Sequence, residues 1–165
     1  MADKKTVKDL FVDEIKDLYS AEKQLTKALP KMVRGATDAG LKEAFSLHLK
    51  ETQEQVTRLE QVAALLATKP SGKKCVGMEG VISEGAEVLG EDGDEAVLDL
   101  GLIGSGSRVE HYEMAGYLTA ISLAQRMGAT DVASILKVSL TEEQGAEKKL
   151  RQIAAGLMKK APIEG

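Results

Sequence analysis

The chain has one cysteine, Cys75, three prolines, three tyrosines, two phenylalanines and no tryptophan among its 165 residues. A single thiol excludes an intrachain disulfide and a zinc site built on several cysteines, and it is the usage of a reduced compartment. With aromatics at 3%, the core has to be built from Ala, Leu, Val and Ile, the composition of packed helices. No apolar run approaches the roughly 20 residues that a membrane span needs. The opening MADKKTVKDL has no hydrophobic signal core, so a soluble, cytoplasmic protein is expected, with no membrane partner. An excess of positive charge is missing too. The 22 Lys and Arg stand against 26 Asp and Glu, a net charge of −4, which speaks against nonspecific binding to nucleic acid.

What is present is helical periodicity. The length and a hydrophobic fraction of 43% suit one domain, residues 1–165, with a core of its own. Apolar residues recur at spacings of three and four over about 6–34, 41–67, 96–127 and 131–158, and a shorter segment, 76–89, lies between the second and third of these. Thr6 is the expected cap of the first helix and Thr130 or Asp131 of the last. Pro30 should kink or loosen the end of the first helix by removing the bond to the Thr26 carbonyl. Gly35–Gly40 and Gly128 make short turns, and short turns make antiparallel neighbours. TKPSGKK, 68–74, breaks the period and opens a crossover. The tail, 159–165, should fray. The fold class is therefore all-α: a ferritin-like four-helix bundle with a short crossover helix between helices two and three.

The apolar stripes carry acids. Glu110 and Glu113 share a face with Ile103, Gly106, Tyr117, Ile121 and Ala124, and Glu22, Glu143 and, at a stripe edge, Glu51 stand on the other long helices. Measured from the turn near residue 38, Glu22 lies 16 residues before and Glu51 13 after. From the turn near 129, Glu113 lies 16 before and Glu143 14 after. At about 1.5 Å per residue, all four helices place a carboxylate at about the same depth. Such acids repel strongly in an apolar interior, and no Lys or Arg stands at the centre of the facing stripes. A pair of divalent cations would neutralise them. Carboxylates with one imidazole and no thiolate favour iron or manganese over structural zinc. The expected principal ligands are Glu22, Glu51, Glu110 and Glu143, completed by His48, Glu113 and Glu147. Tyr19, Tyr112, Tyr117 and Gln55 are candidate partners of those ligands.

The segments LYSAEKQL (18–25), HLKETQEQVTRLEQV (48–62), CVGMEG (75–80), VEHYEMAGY (109–117) and TEEQGAEKKL (141–150) resemble the YciE/YciF stress-protein family over nearly the whole chain. The resemblance implies a ferritin-like fold close to the rubrerythrin metal-binding domain, a homodimer and a stress-linked cytoplasmic role. The activity expected of the iron or manganese pair itself, apart from the resemblance, is oxidation of iron(II) or reduction of peroxide, with peroxide or oxygen as the small oxidant. The alternative is a structural or interaction bundle without turnover. Two features depart from the usual Glu-x-x-His of ferritin-like sites: Glu54 follows three residues after Glu51 and Ala146 three after Glu143, and His48 precedes its glutamate.

Plainer readings compete. An inward Glu taken alone is equally a protonated or Arg-paired core residue, with Arg58 a candidate partner of Glu51; agreement of four helices in phase and level favours the cations. His111 falls about 100° from Glu110 and points to a flank. Glu14, Glu54, Glu60 and Glu142 fall off the stripes and read as solvated faces. Met78, Met114 and Met127 read as core and Cys75 as a small buried hydrophobe. GLIGSGS (101–107) lacks the strand a dinucleotide loop needs and reads as close helix packing, and EDGDE (91–95) lacks the spacing of a calcium loop.

Overall fold

The structure, a computed structural model, describes residues 5–164. Five helices follow in order: α1 (Val7–Gly35), α2 (Ala39–Leu65), α3 (Val76–Val88), α4 (Glu95–Arg126) and α5 (Thr130–Leu157). α1 begins as the sequence predicts. The Thr6 side chain accepts from the Asp9 N–H while the Asp9 carboxylate accepts from the Thr6 N–H, a reciprocal cap. Asp38 and Asp94 cap α2 and α4 by acceptance alone, Asp38 from the Leu41 N–H and Asp94 from the Ala96 and Val97 N–H groups. α5 differs from expectation. Its cap is Ala129, which offers no side-chain bond, while Thr130 and Asp131 lie inside the first turn. The reason is Gly128, whose φ of +72° reverses the chain so tightly that the helix restarts two residues later. α1 continues through Pro30 to Gly35.

α1 packs along α2 and α4 along α5, and the two hairpins meet through α2 against α5 and α1 against α4. The long connection between α2 and α4 carries α3, which lies across α4 and α1. This is the single-crossover, ferritin-like bundle. The crossover is pinned by a polar contact set. Lys73 Nζ lies 2.8 Å from Asp13 and 3.1 Å from Asp17. Cys75 donates its thiol to Asp17, sits within 3.0 Å of the Tyr112 hydroxyl, and caps α3 by accepting from the Met78 N–H. Burial first, then the Asp17 carboxylate, pushes the Cys75 thiol up, which keeps the proton it donates. Cys75 is thus buried, as expected, but as a hydrogen-bonded cap and not merely a small hydrophobe.

The glycines of GLIGSGS serve contact. A Cβ on Gly106 would stand 3.0 Å from Leu150 and 3.3 Å from Phe45, and one on Gly101 would stand 2.8 Å from Val88. Close approach of α4 to its neighbours requires both. The apolar core comes in two parts. One, around Leu25, Leu29, Phe45, Met78, Leu102 and Leu150, lies toward the α1–α2 turn. The other, around Phe11, Ile15, Leu59, Tyr117, Ile121 and Leu136, lies toward the α4–α5 turn. Between them runs a buried polar storey: Glu22, His48, Thr52, Gln55, Glu110, Glu113, Ser139 and Glu143. No helix among the described residues is long and apolar enough to cross a membrane.

Candidate metal centre

Each of the four long helices sends at least one acid or imidazole into this storey, because each stripe of three-and-four spacing passes through it. One ligand atom from each of His48, Glu110, Glu113 and Glu143 lies within 4.8 Å of all the others, and all four residues are buried. His48 Nε2 is 3.3 Å from Glu110 Oε1 and 3.7 Å from Glu143 Oε2. Glu22 is fully buried and takes a hydrogen bond from the Tyr117 hydroxyl. Gln55 Nε2 donates to Glu143 and, at 3.0 Å, to Glu142. Tyr117 and Gln55 are therefore the expected partners of the acids.

The remaining polar atoms are stranded. Both oxygens of Glu113, both ring nitrogens of His48, and one oxygen each of Glu22, Glu110 and Glu143 have no hydrogen-bond partner. Buried polar atoms are normally satisfied, so this concentration in one layer is the signature of a site built for something else. Charge sharpens the point. Two unit charges about 4 Å apart repel by about 4 kcal/mol at the effective dielectric of a protein. Three ionised carboxylates make three such pairs, on the order of 10 kcal/mol, comparable with the whole stability of a domain. The acids must keep protons or hold cations. Without a cation, burial first, then the neighbouring carboxylates, hold Glu22, Glu110 and Glu113 well above the usual carboxylate range. His48 is also raised: burial opposes its charge, but the Glu51 carboxylate and Glu143 outweigh it. Burial also raises the Tyr117 hydroxyl, keeping it a donor. The donor set, carboxylates and one imidazole, fits a hard or borderline divalent cation.

Two expected ligands stand apart. Glu51 is at the rim, its side chain 27% exposed, with Oε2 3.6 Å from His48 Nδ1. Glu147 is clasped by Arg151 Nε at 2.6 Å and faces His111 Nε2 at 3.3 Å. Burial resists its charge, but bonds from Ser107, Arg151 and His111 hold its carboxyl below the ordinary value. Glu51 thus keeps the stripe-edge position expected of it, and Glu113 is fully buried on the stripe of α4. Other expectations are corrected. Tyr19 donates to Glu60, and Tyr112 donates to Asp17 near Cys75, so neither touches the cluster. Arg58 pairs not with Glu51 but with Glu142, at 2.6 and 2.7 Å, so Glu142 is a half-buried ion-pair partner and not a solvated residue.

One buried acid escaped the sequence reading altogether. Asp99, 1% exposed, accepts from the N–H groups of Thr37 and Asp38 and from the Thr37 hydroxyl. Its signal was available, since 99, 103, 106, 110, 113, 117 continues the same stripe one turn earlier. The Tyr117 bond is directly testable in metal-free protein. Tyr117→Phe leaves the Glu22 carboxyl without its donor and should lower stability by about 1–2 kcal/mol, read as an earlier urea midpoint with unchanged slope.

Comparison with known proteins places this geometry in context. A family model described as a domain of unknown function (DUF892) matches residues 6–162. The chain is 42% identical over 151 residues to Protein YciF of Escherichia coli (strain K12), covering 91% of each. The crystal structure of that E. coli stress protein superposes with a TM-score of 0.92 at 40% identity, over 95% of this chain and 99% of the other. A protein of Rhodopseudomonas palustris, YcfI, described as a candidate structural protein, superposes with a TM-score of 0.87 at 43% identity, over 90% of this chain and 95% of the other.

Proposed function

The chain belongs to the DUF892 family, and on that premise we propose that it is a metal-binding protein of the stress response. Its polar storey would hold two iron or manganese ions bridged by carboxylates. The observation that carries this reading is the stranded set of His48, Glu110, Glu113 and Glu143 atoms, all within reach of one another and without hydrogen-bond partners. Glu22 adds a further carboxylate that Tyr117 orients, and Gln55 orients Glu143. Glu51 at the rim, 3.6 Å from His48 Nδ1, would offer a further carboxylate on that side. Ions of this kind supply redox chemistry toward peroxide or oxygen, so oxidation of iron(II) or reduction of peroxide is the activity expected.

A second reading has its own support. The R. palustris relative is described as structural, and Leu47, Leu65, Leu118 and Val138 are half exposed. On that reading the protein works as a dimer that binds other proteins, and the storey holds protonated acids only. Metal analysis of protein purified without chelator and reconstituted anaerobically separates the two. Two ions per chain are expected; less than one per two chains favours the structural reading. Glu143→Ala should weaken binding by at least about a hundredfold, beyond the 10–100-fold typical of losing an outer partner. It should stay folded, because Gln55 keeps its bond to Glu142 and one repelling carboxylate is gone. Equal metal content in variant and parent would count against the site.

A further inference from the structure

Two cavities touch the polar storey, and both share Phe45 and Glu110 as walls. The first lies under α3, is walled by Leu25, Leu29, Val81, Ile82 and Leu89 among others, and offers about 70 Å³. The second opens between α2 and α5 and offers about 370 Å³. Its floor is His48 and Glu110, its sides include Ala44 and Ala146, and Glu51 and Lys149 stand at its lip. The floor residues are 3% and 2% exposed, and the His48 ring nitrogens and Glu110 Oε2 have no hydrogen-bond partner. A dead-end surface dimple lined by alanine would not end on stranded, buried polar atoms.

Size and chemistry decide what can use each cavity. Six waters around a divalent ion need roughly 60–90 Å³ of such space, at about 10–15 Å³ per water. The cavity under α3 is at the limit of that size and its walls are almost wholly apolar, whereas the α2–α5 cavity has several times the room. Glu51 at its lip presents a carboxylate on the way to His48, 3.6 Å further in. Lys149 is exposed, and its long side chain can swing its charge into water. Two small side chains line this opening, one from each helix. Ala146 stands three residues after Glu143, one turn along α5, and lines the cavity together with Ala44 of α2.

We propose that this opening between α2 and α5 is the route by which a hydrated divalent cation reaches the buried carboxylates, held open by Ala44 and Ala146. The proposal rests on the metal reading of the storey. Leucine at either position fills the passage with three more carbons without removing a ligand, and it suits a helix. The probe is cobalt(II) alone, followed by stopped-flow absorption of the bound ion and then by its release to EDTA. Ala146→Leu and Ala44→Leu should each slow uptake and release at least tenfold, by similar factors, with unchanged final stoichiometry and helical circular dichroism. Equal slowing in both directions marks a barrier on the path, because damage to the site would change the ratio of the two rates. Parental rates in both variants, or lowered stoichiometry at parental rates, overturn the route while leaving the metal reading intact. A parent that takes up no ion fails the metal reading and overturns the route with it.

Discussion

Metal-free protein is expected to lose stability steadily as pH rises from 5 to 8, the reverse of the usual behaviour of carboxylates. The sign follows from the polar storey. Burial, reinforced by neighbouring carboxylates, raises Glu22, Glu110 and Glu113 well above the range they have in an unfolded chain. Above about pH 4.5 the unfolded chain has released these protons while the native state retains them, so unfolding gives up protons and rising pH favours it. Their contribution is fully present below the unfolded value and is lost as pH climbs through the folded values. His48 acts in the same direction, because its folded value is also raised, its contribution being whole below about pH 6.5 and lost above that. Each proton of difference changes stability by about 1.4 kcal/mol per pH unit, so two or three stranded acids shift it by several kcal/mol across the window. Urea midpoints at half-unit intervals, with chelator present, measure it.

Divalent cation should invert the trend. Ligands bind metal deprotonated, so uptake releases protons and the loaded protein is favoured by rising pH. An indicator dye in weak buffer reads that release directly. Metal-free stability that rises between pH 5 and 8 would mean the acids are ionised or turned to solvent, and the polar storey would then need no cation.

The sequence was most legible where one helix face decides the outcome. Stripes of three-and-four spacing put Glu22, His48, Glu110, Glu113 and Glu143 inside, and counting residues from two tight turns put Glu22, Glu51, Glu113 and Glu143 at one level. It was least legible where two helices must be compared. Arg58 and Glu142 both lie off the centre of their own stripes, yet α2 and α5 bring those flanks together and make an ion pair of them. Tyr112 sits two residues from Glu110, far enough around the helix to face Cys75 and Asp17 instead of the acids. Glu51 and Glu113 exchange rank for a similar reason. Both lie near a stripe, but Glu113 is central on α4, whereas Glu51 stands one turn beyond His48 at the edge that the α2–α5 cavity leaves open. The cap of α5 is a local error: a polar residue after a glycine turn suggested a capping side chain, but the left-handed Gly128 leaves the cap position to Ala129.

Asp99→Ala should be strongly destabilising although it lies outside both the polar storey and the apolar cores. Its carboxylate gathers the Thr37 N–H at 2.9 Å, the Thr37 hydroxyl at 2.7 Å and the Asp38 N–H at 2.6 Å. Those donors belong to the turn that joins α1 to α2, while Asp99 rides on α4, so the one side chain ties the first hairpin to the second. Bonds to a charged acceptor are worth about 1.5–3 kcal/mol each. Thr37 is exposed and can regain water, so a net loss of about 3 kcal/mol is expected, or roughly 6–12 °C in Tm for a chain of this size. Asp99→Asn keeps one carbonyl acceptor and should lose about half as much. The consequence reaches the polar storey, because the turn fixes the depth of Glu22 on α1 against that of His48 on α2. If Asp99→Ala leaves both Tm and cobalt(II) stoichiometry unchanged, the turn is held by α1 and α2 alone, and the register of the four helices does not depend on this carboxylate.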